Sequence, residues 1–206
     1  MSTAHLKQAL ALFIGAASLF LLTHQIWSGI RRSAGAAPTE TSSVILVRHG
    51  DAPGSREPSG FDLNNCKTQR NLSSKGLLDA VGIGIMFRKR GIKVAKVLSS
   101  RFCRAQETAA LMLLGLVETS AAFDDLAFNK PREQEMLERE RTTITSWHGP
   151  GLLLVVTHGS NIEALSGARL KPGAMIAVHE KDKQLLATPF GPADQLAGRS
   201  YSDIAD

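Results

Sequence analysis

The sequence predicts a three-layer α/β/α sandwich on a mainly parallel sheet, and three observations predict it. Short apolar runs alternate with longer helical patterns along the chain, the rhythm of successive βαβ units. The first run, Val44-Ile45-Leu46-Val47, reads as a strand buried on both faces, as central parallel strands are. Three of the runs stop abruptly at polar residues: Arg48-His49-Gly50, Ser99 to Arg104, and Thr157-His158-Gly159. The carboxyl ends of parallel strands are where α/β proteins assemble a site.

Ahead of the first strand stands a targeting segment. Residues 9–22 carry no charge and one hydroxyl, Ser18, behind a polar start with His5 and Lys7, which is the layout of a secretory signal. Extended through Ile26-Trp27-Ser28-Gly29-Ile30, the stretch is long enough to serve as a bilayer anchor. Residues 1–32 are thus expected to be a signal peptide or membrane anchor that exports the chain, although Arg31-Arg32 run against the positive-inside rule. A Ser/Thr/Pro/Gly-rich linker is expected at 33–43, one domain at 44–190 and a polar, disordered tail at 191–206.

Within the domain, residues 51–71 form a polar loop of the kind that covers or shapes a site. Ser73 or Ser74 caps a helix with an apolar stripe of Leu77, Leu78, Val81, Ile85 and Met86; Arg88, Lys89 and Arg90 suit its C-terminus, and Gly91 ends it. Gly82 and Gly84 read as close-packing residues, since a phosphate loop would lie between a strand and a helix start. Val94 to Leu98 is the second strand, with Ser99-Ser100 as caps of a helix running from Arg101 through Leu116. Residues 117–131 are a connection, followed by a charged helix from Arg132 to Trp147 with Leu137 and Ile144 turned inward. Leu152 to Val156 is the strongest strand, Asn161 to Gly167 a short helix, and Ala174–Val178 with Gln184–Ala187 a hairpin.

With 206 residues, 43% hydrophobic and 21% charged, the chain can bury a substantial single core. Its formal charge of +5 is no nucleic-acid signature. Lys7, Arg31 and Arg32 fall in the first 36 residues, which hold no acid, and without them 21 basic residues face 19 acidic ones. Cys66 and Cys103, an even pair in an exported chain, are a disulfide candidate. Two unrelated buried thiols are the alternative, and zinc is not expected because neither cysteine has a nearby partner at ligand spacing.

Arg48, His49, Arg104 and His158, converging with helix N-termini nearby, suit a small dense anion, and phosphate fits best. A neutral imidazole attacks phosphorus to give a phosphohistidine, which divides one difficult displacement into two. Neighbouring arginines favour the neutral form of His49, and stabilisation of phosphoryl charge supplies most of the rate, so that chemistry requires no metal or other cofactor.

Four blocks in order resemble the histidine phosphatase (phosphoglycerate mutase-like) superfamily. They are Arg48-His49-Gly50, Leu72-Ser73-x-x-Gly76, Ser99-Ser100-x-x-x-Arg104-Ala105-x-Glu107-Thr108-Ala109, and Val156-Thr157-His158-Gly159. The resemblance runs from about Val44 to Val178 and implies a phosphoglycerate mutase-like sandwich. It makes His49 the phospho-accepting nucleophile, with Arg48, Arg104, His158 and Gly50 around the phosphoryl group. The Asn65-Cys66-x-Thr68-Gln69-Arg70 block and the Cys103-Arg104 pairing are similar to exported bacterial members, of which the lipopolysaccharide core heptose phosphatases are distant examples. That implies a periplasmic protein, soluble or anchored to the inner membrane. Its expected partner is a small phosphorylated substrate, a cell-envelope sugar phosphate being one such compound.

The chain departs from the family pattern at the acid that protonates the leaving group. Many members place a Glu in a Leu-x-Glu pattern after the second arginine, and here Phe123-Asp124-Asp125 falls there. Asp125 is therefore the candidate, a turn or helix cap its other reading, and Glu133 and Glu135 are the alternatives. The activity expected is phosphomonoester hydrolysis. A phosphoglycerate mutase-like phosphotransferase and a non-catalytic, membrane-tethered phospho-ligand binder are the rival readings.

Overall fold

A computed structural model of the chain describes residues 44–191. The expected signal or anchor, the linker and the tail from residue 192 lie outside the described residues. No helix among the described residues is long and apolar enough to cross a membrane.

Six strands, β1 (Val44–Arg48), β2 (Val94–Ser99), β3 (Val117–Thr119), β4 (Leu152–Thr157), β5 (Met175–Lys181) and β6 (Gln184–Pro189), form one sheet in the order β3-β2-β4-β1-β5-β6. β1 pairs in parallel with β4 and antiparallel with β5. β2 runs parallel to both β3 and β4, and β5 and β6 form the predicted hairpin. The sheet is therefore mixed, with the parallel part carrying the polar strand ends. Among the described residues four α-helices accompany it: α1 (Ser74–Lys89), α2 (Cys103–Leu111), α3 (Glu133–Thr145) and α4 (Gly159–Ser166).

Alternation of side chains along the central strands creates two apolar layers. Val44 and Leu46 of β1, with Leu153 and Val155 of β4, pack against Ile144 of α3 and Ile162 and Leu165 of α4. Ile45, Val47, Leu152, Leu154 and Val156 pack on the other face against Ile83 and Phe87 of α1 and Ala105 and Ala109 of α2. Burial on both faces stabilises each Val, Leu or Ile by about 1.5–3 kcal/mol, which is why these runs contain no polar alternation.

The stripe expected on α1 is not its buried face. Gly76, Ala80, Ile83, Gly84 and Phe87 are buried, whereas Leu78 is 72% exposed and Val81 and Ile85 are also exposed. The cause is a close approach between backbones. A Cβ on Gly84 would stand 2.0 Å from the Met112 carbonyl oxygen, and one on Gly76 would stand 2.3 Å from that of Asp51. Small residues take the contact face and larger ones turn outward. Gly84 thus packs closely as expected, but Gly82 faces open space.

Two further boundaries differ. α2 ends at Leu111 instead of running to Leu116, and the stretch expected to be only a connection begins with β3, whose Val117 pairs with Val97 of β2. Ser99 belongs to β2, and Phe102, without a side-chain cap bond, stands at the N-cap of α2. The charged helix runs as predicted with Ile144 buried and Leu137 partly buried, but Met136 and Glu140 are buried as well.

Candidate active site

The parallel register places the two histidines side by side. Arg48 pairs with Thr157, and the His49 amide donates to the Thr157 carbonyl at 3.0 Å, so His49 and His158 leave adjacent strand ends together. Their ring centroids are 5.2 Å apart. Between them lies Arg104, from the first turn of α2, with a fully buried side chain.

Hydrogen bonds define which nitrogen of each ring faces the site. His49 Nδ1 donates to its neighbour's carbonyl, Gly50 O, at 2.8 Å, which leaves Nε2 with a lone pair toward Arg104 Nε at 3.2 Å. Ser100 Oγ accepts from the Phe102 amide at 3.1 Å and donates to Asp124 Oδ1 at 3.3 Å, so it receives the Nε2–H of His158 at 2.8 Å. His158 Nδ1 then accepts from Arg104 Nη2 at 3.3 Å. Burial pushes both imidazoles well below their ordinary pKa; His158 and Arg104 add to the effect on His49, and Arg104, Arg70 and Arg48 add to that on His158. Both rings are neutral at pH 7, and His49 Nε2 is nucleophilic.

Arginine at a helix N-terminus opposes the helix dipole. Two carboxylates compensate here: Arg104 Nη1 donates to Glu57 Oε1 at 2.8 Å and Nη2 to Asp125 Oδ2 at 3.1 Å. Arg101 is turned away from the cavity, where its Nε and Nη2 donate to Asp124 Oδ2 at 2.9 and 2.6 Å. Arg48 donates through Nη1 to the Leu170 carbonyl at 2.6 Å and lies across Gly159, where a Cβ would come within 3.3 Å of its guanidinium. Gly159 is what lets Arg48 lie flat there.

Asp125 stands beside Arg104 and His158. Its Oδ1 is held by Ser160 Oγ at 2.7 Å and by the Ala127 amide at 3.0 Å, leaving Oδ2 toward Arg104 and 3.6 Å from His158 Nδ1. The amide bond from Ala127 is also a turn-capping bond, so the two readings of Asp125 coexist. Glu133 and Glu135 are not brought to the site: they pair with Lys130 and with Arg132 and Arg139 on the outer side of α3. Gly50 also differs from expectation. Its amide donates to Thr108 Oγ1 at 3.0 Å, and a Cβ on it would meet the Gly76 carbonyl oxygen at 2.8 Å, so Gly50 serves close packing and its N–H is not directed to a phosphoryl oxygen.

The loop at 51–71 contributes two residues to which the sequence analysis gives no site role. Glu57 pairs with Arg104 and accepts from the Arg70 amide at 3.0 Å, and the Arg70 guanidinium donates to the Ala52 carbonyl at 2.8 Å. Arg70 closes the Asn65-Cys66-x-Thr68-Gln69-Arg70 block and stands two residues before Leu72-Ser73-x-x-Gly76, and that position is its signal in the sequence. Cys66 and Cys103 are joined in a disulfide, and Gln69 Oε1 accepts from the Cys103 amide at 3.0 Å. The loop is therefore fastened to the turn that carries Arg104. A cavity of about 450 Å³ opens on this set, lined by Arg48, His49, Arg70, Asp125, His158 and Arg169 among others. Three arginines face two carboxylates on its wall, Asp125 and Glu163, the latter paired with Arg169 at 2.6 Å, and the positive excess at Arg48 and Arg70 suits an anionic ligand.

Solved structures with this architecture include the alpha-ribazole phosphatase of Shigella flexneri, 19% identical with a TM-score of 0.52 over 77% of this chain and 97% of that one. The mycobacterial glucosyl-3-phosphoglycerate phosphatase, solved in complex with VO3, is 16% identical with a TM-score of 0.53 over 73% of this chain and 99% of that one. Over 70 residues the chain is 36% identical to the mitochondrial serine/threonine-protein phosphatase Pgam5 of Drosophila virilis, a match spanning 34% of this chain and 22% of that protein. No family model matches the chain. With its four motif blocks at the ends of β1 and β4 and at the starts of α1 and α2, the chain shares the phosphoglycerate mutase-like α/β fold of these solved phosphatases.

Proposed function

We propose that the chain is a phosphomonoester hydrolase that works through a phosphohistidine on His49. The observation that carries this reading is the neutral His49 Nε2 facing a buried arginine fork and a second neutral imidazole. A phosphoryl group entering the cavity takes over the donors of Arg104 now paired with Glu57 and Asp125. As Arg104 Nη2 turns from Asp125 to the phosphoryl oxygens, Asp125 takes the proton of the entering ester monoanion; the His49 Nε2 lone pair then forms the P–N bond as the ester P–O bond breaks, and the leaving oxygen takes that proton from Asp125. Water then attacks phosphorus and gives a proton back to Asp125, and the P–N electron pair returns to Nε2. His158 becomes a donor through Nδ1 once its ring takes up a proton, which an adjacent dianion favours. Arg48 and Arg104 stabilise the charge on the phosphoryl oxygens, so no step calls for a metal.

The substrate is a small phosphorylated compound met outside the cytoplasm. The apolar run at residues 9–22 and the Cys66–Cys103 bond support that placement, and a sugar phosphate of the cell envelope suits an arginine-lined cavity. The test is hydrolysis of an aryl phosphate by the full chain with a chelator present. Turnover that disappears in His49→Ala, with vanadate still bound, is the expected result. Turnover retained in His49→Ala removes His49 as nucleophile. Vanadate binding without any turnover by the unaltered chain makes it a phospho-ligand binder.

A further inference from the structure

We propose that Glu140 is a positioning residue for the proton donor Asp125, acting through Asn161, an inference that rests on the phosphatase reading of the site. Glu140 belongs to a helix whose outer side is heavily charged, yet its side chain is fully buried on the face it shares with Met136 and Ile144, one turn away in either direction. A carboxyl there is costly, and packing alone does not call for it. A methionine would occupy the same face without desolvating a polar group.

The group does have a partner. Glu140 Oε1 accepts from Asn161 Nδ2 at 2.5 Å, while Oε2 has no hydrogen-bond partner among the described residues. Burial raises its pKa to about 8, so the carboxyl is neutral at pH 7. Asn161 Nδ2 also donates to the Asp124 carbonyl at 2.9 Å, and Asn161 Oδ1 accepts from the Leu126 amide at 3.2 Å. One amide group therefore holds the peptides on both sides of Asp125. That clamp exists in only one amide orientation, and an acceptor beside Nδ2 selects it. Ser160, the residue before Asn161, completes the arrangement by holding Asp125 Oδ1. The consequence is a fixed Asp125 Oδ2 at the mouth of the arginine fork.

Positioning of an acid has a signature that general loosening lacks: it affects esters according to how much protonation their leaving group needs. The experiment compares kcat on an alkyl phosphate and on an aryl phosphate for the full chain and for Glu140→Met, Glu140→Gln and Asn161→Ala, with a melting temperature for each. Glu140→Met and Asn161→Ala are expected to lose about 10–100-fold on the alkyl ester while the aryl ester is turned over near the unaltered rate. Glu140→Gln keeps an acceptor and retains the original ratio, and Glu140→Met melts no lower than the unaltered chain. Equal losses on both esters, or an unchanged ratio in Glu140→Met, overturn the inference. An unaltered chain that hydrolyses neither ester overturns the phosphatase reading and this inference with it.

Discussion

Replacing Arg104 by methionine separates what this side chain does for the fold from what it does for the reaction. The guanidinium is fully buried and contacts His49, His158, Glu57 and Asp125, the last two with side chains 9% and 17% exposed. Met fills the stem but leaves Asp125 without its cation and Glu57 with Arg70 alone, at 3.5 Å. Breaking a buried pair from one side costs about 3–5 kcal/mol of stability, measurable by urea unfolding. The effect on rate is distinct. An arginine that meets the transferring phosphoryl group is worth about 10³–10⁵ in rate, or about 4–7 kcal/mol of barrier. The assay is kcat/KM on an aryl phosphate, measured below the unfolding transition. Arg104→Lys keeps a charge for Glu57 but loses the planar fork, so it recovers stability more fully than rate. A kcat/KM for Arg104→Met within about tenfold of the unaltered chain, or about 1.4 kcal/mol, refutes the placement of the phosphoryl group at this fork.

Three other outcomes follow from the geometry. Glu140 binds a proton in the folded state up to about pH 8, against an ordinary value of 4.5, so between those limits the folded chain holds more protons than the unfolded one. Stability contributed by this group is full below the lower limit, falls as pH rises through the window at up to about 1.4 kcal/mol per unit, and is flat above it; urea unfolding of Glu140→Gln across that range should lack this slope. Gly84→Ala is expected to lower the melting temperature, because the new methyl would stand 2.0 Å from the Met112 carbonyl, whereas Gly82→Ala has open space and gains about 0.5–1 kcal/mol from helix propensity. Opening the Cys66–Cys103 bond with Cys66→Ser and Cys103→Ser together should cost about 3–4 kcal/mol in urea unfolding.

The residues legible in the sequence are those whose position follows from an element boundary. Arg48 and His49 stand where an apolar run gives way to a loop, Arg104 and His158 where one gives way to a helix start, and the sheet register then brings them together. Asp125 was reached through the family pattern, since a lone aspartate in a connection is ambiguous. Glu57 and Arg70 were not legible because they reach the site by the path of an aperiodic loop, and nothing local records that path. The face of α1 was misread for a different reason: hydrophobicity marks the large residues, but the contact there is between backbones and selects Gly76, Ala80 and Gly84. β3 is three residues long, too short for any period to show. Glu140 did leave a signal, its spacing of four from Met136 and Ile144, which the charge of the surrounding helix obscured.

The bond from the His49 amide to the Thr157 carbonyl has a consequence for how such a protein diversifies. The interval between the two imidazoles is inherited from the spacing of hydrogen-bonded strands, which side-chain replacement in the core does not alter. Beside α4 and Arg169, what surrounds that pair comes from the segments at 51–71 and 120–131, which are loops with only short helical turns. Exchange of those two segments as cassettes that keep Glu57 and Asp125 therefore offers a route to new substrates that leaves the nucleophile and its neighbour at their original interval.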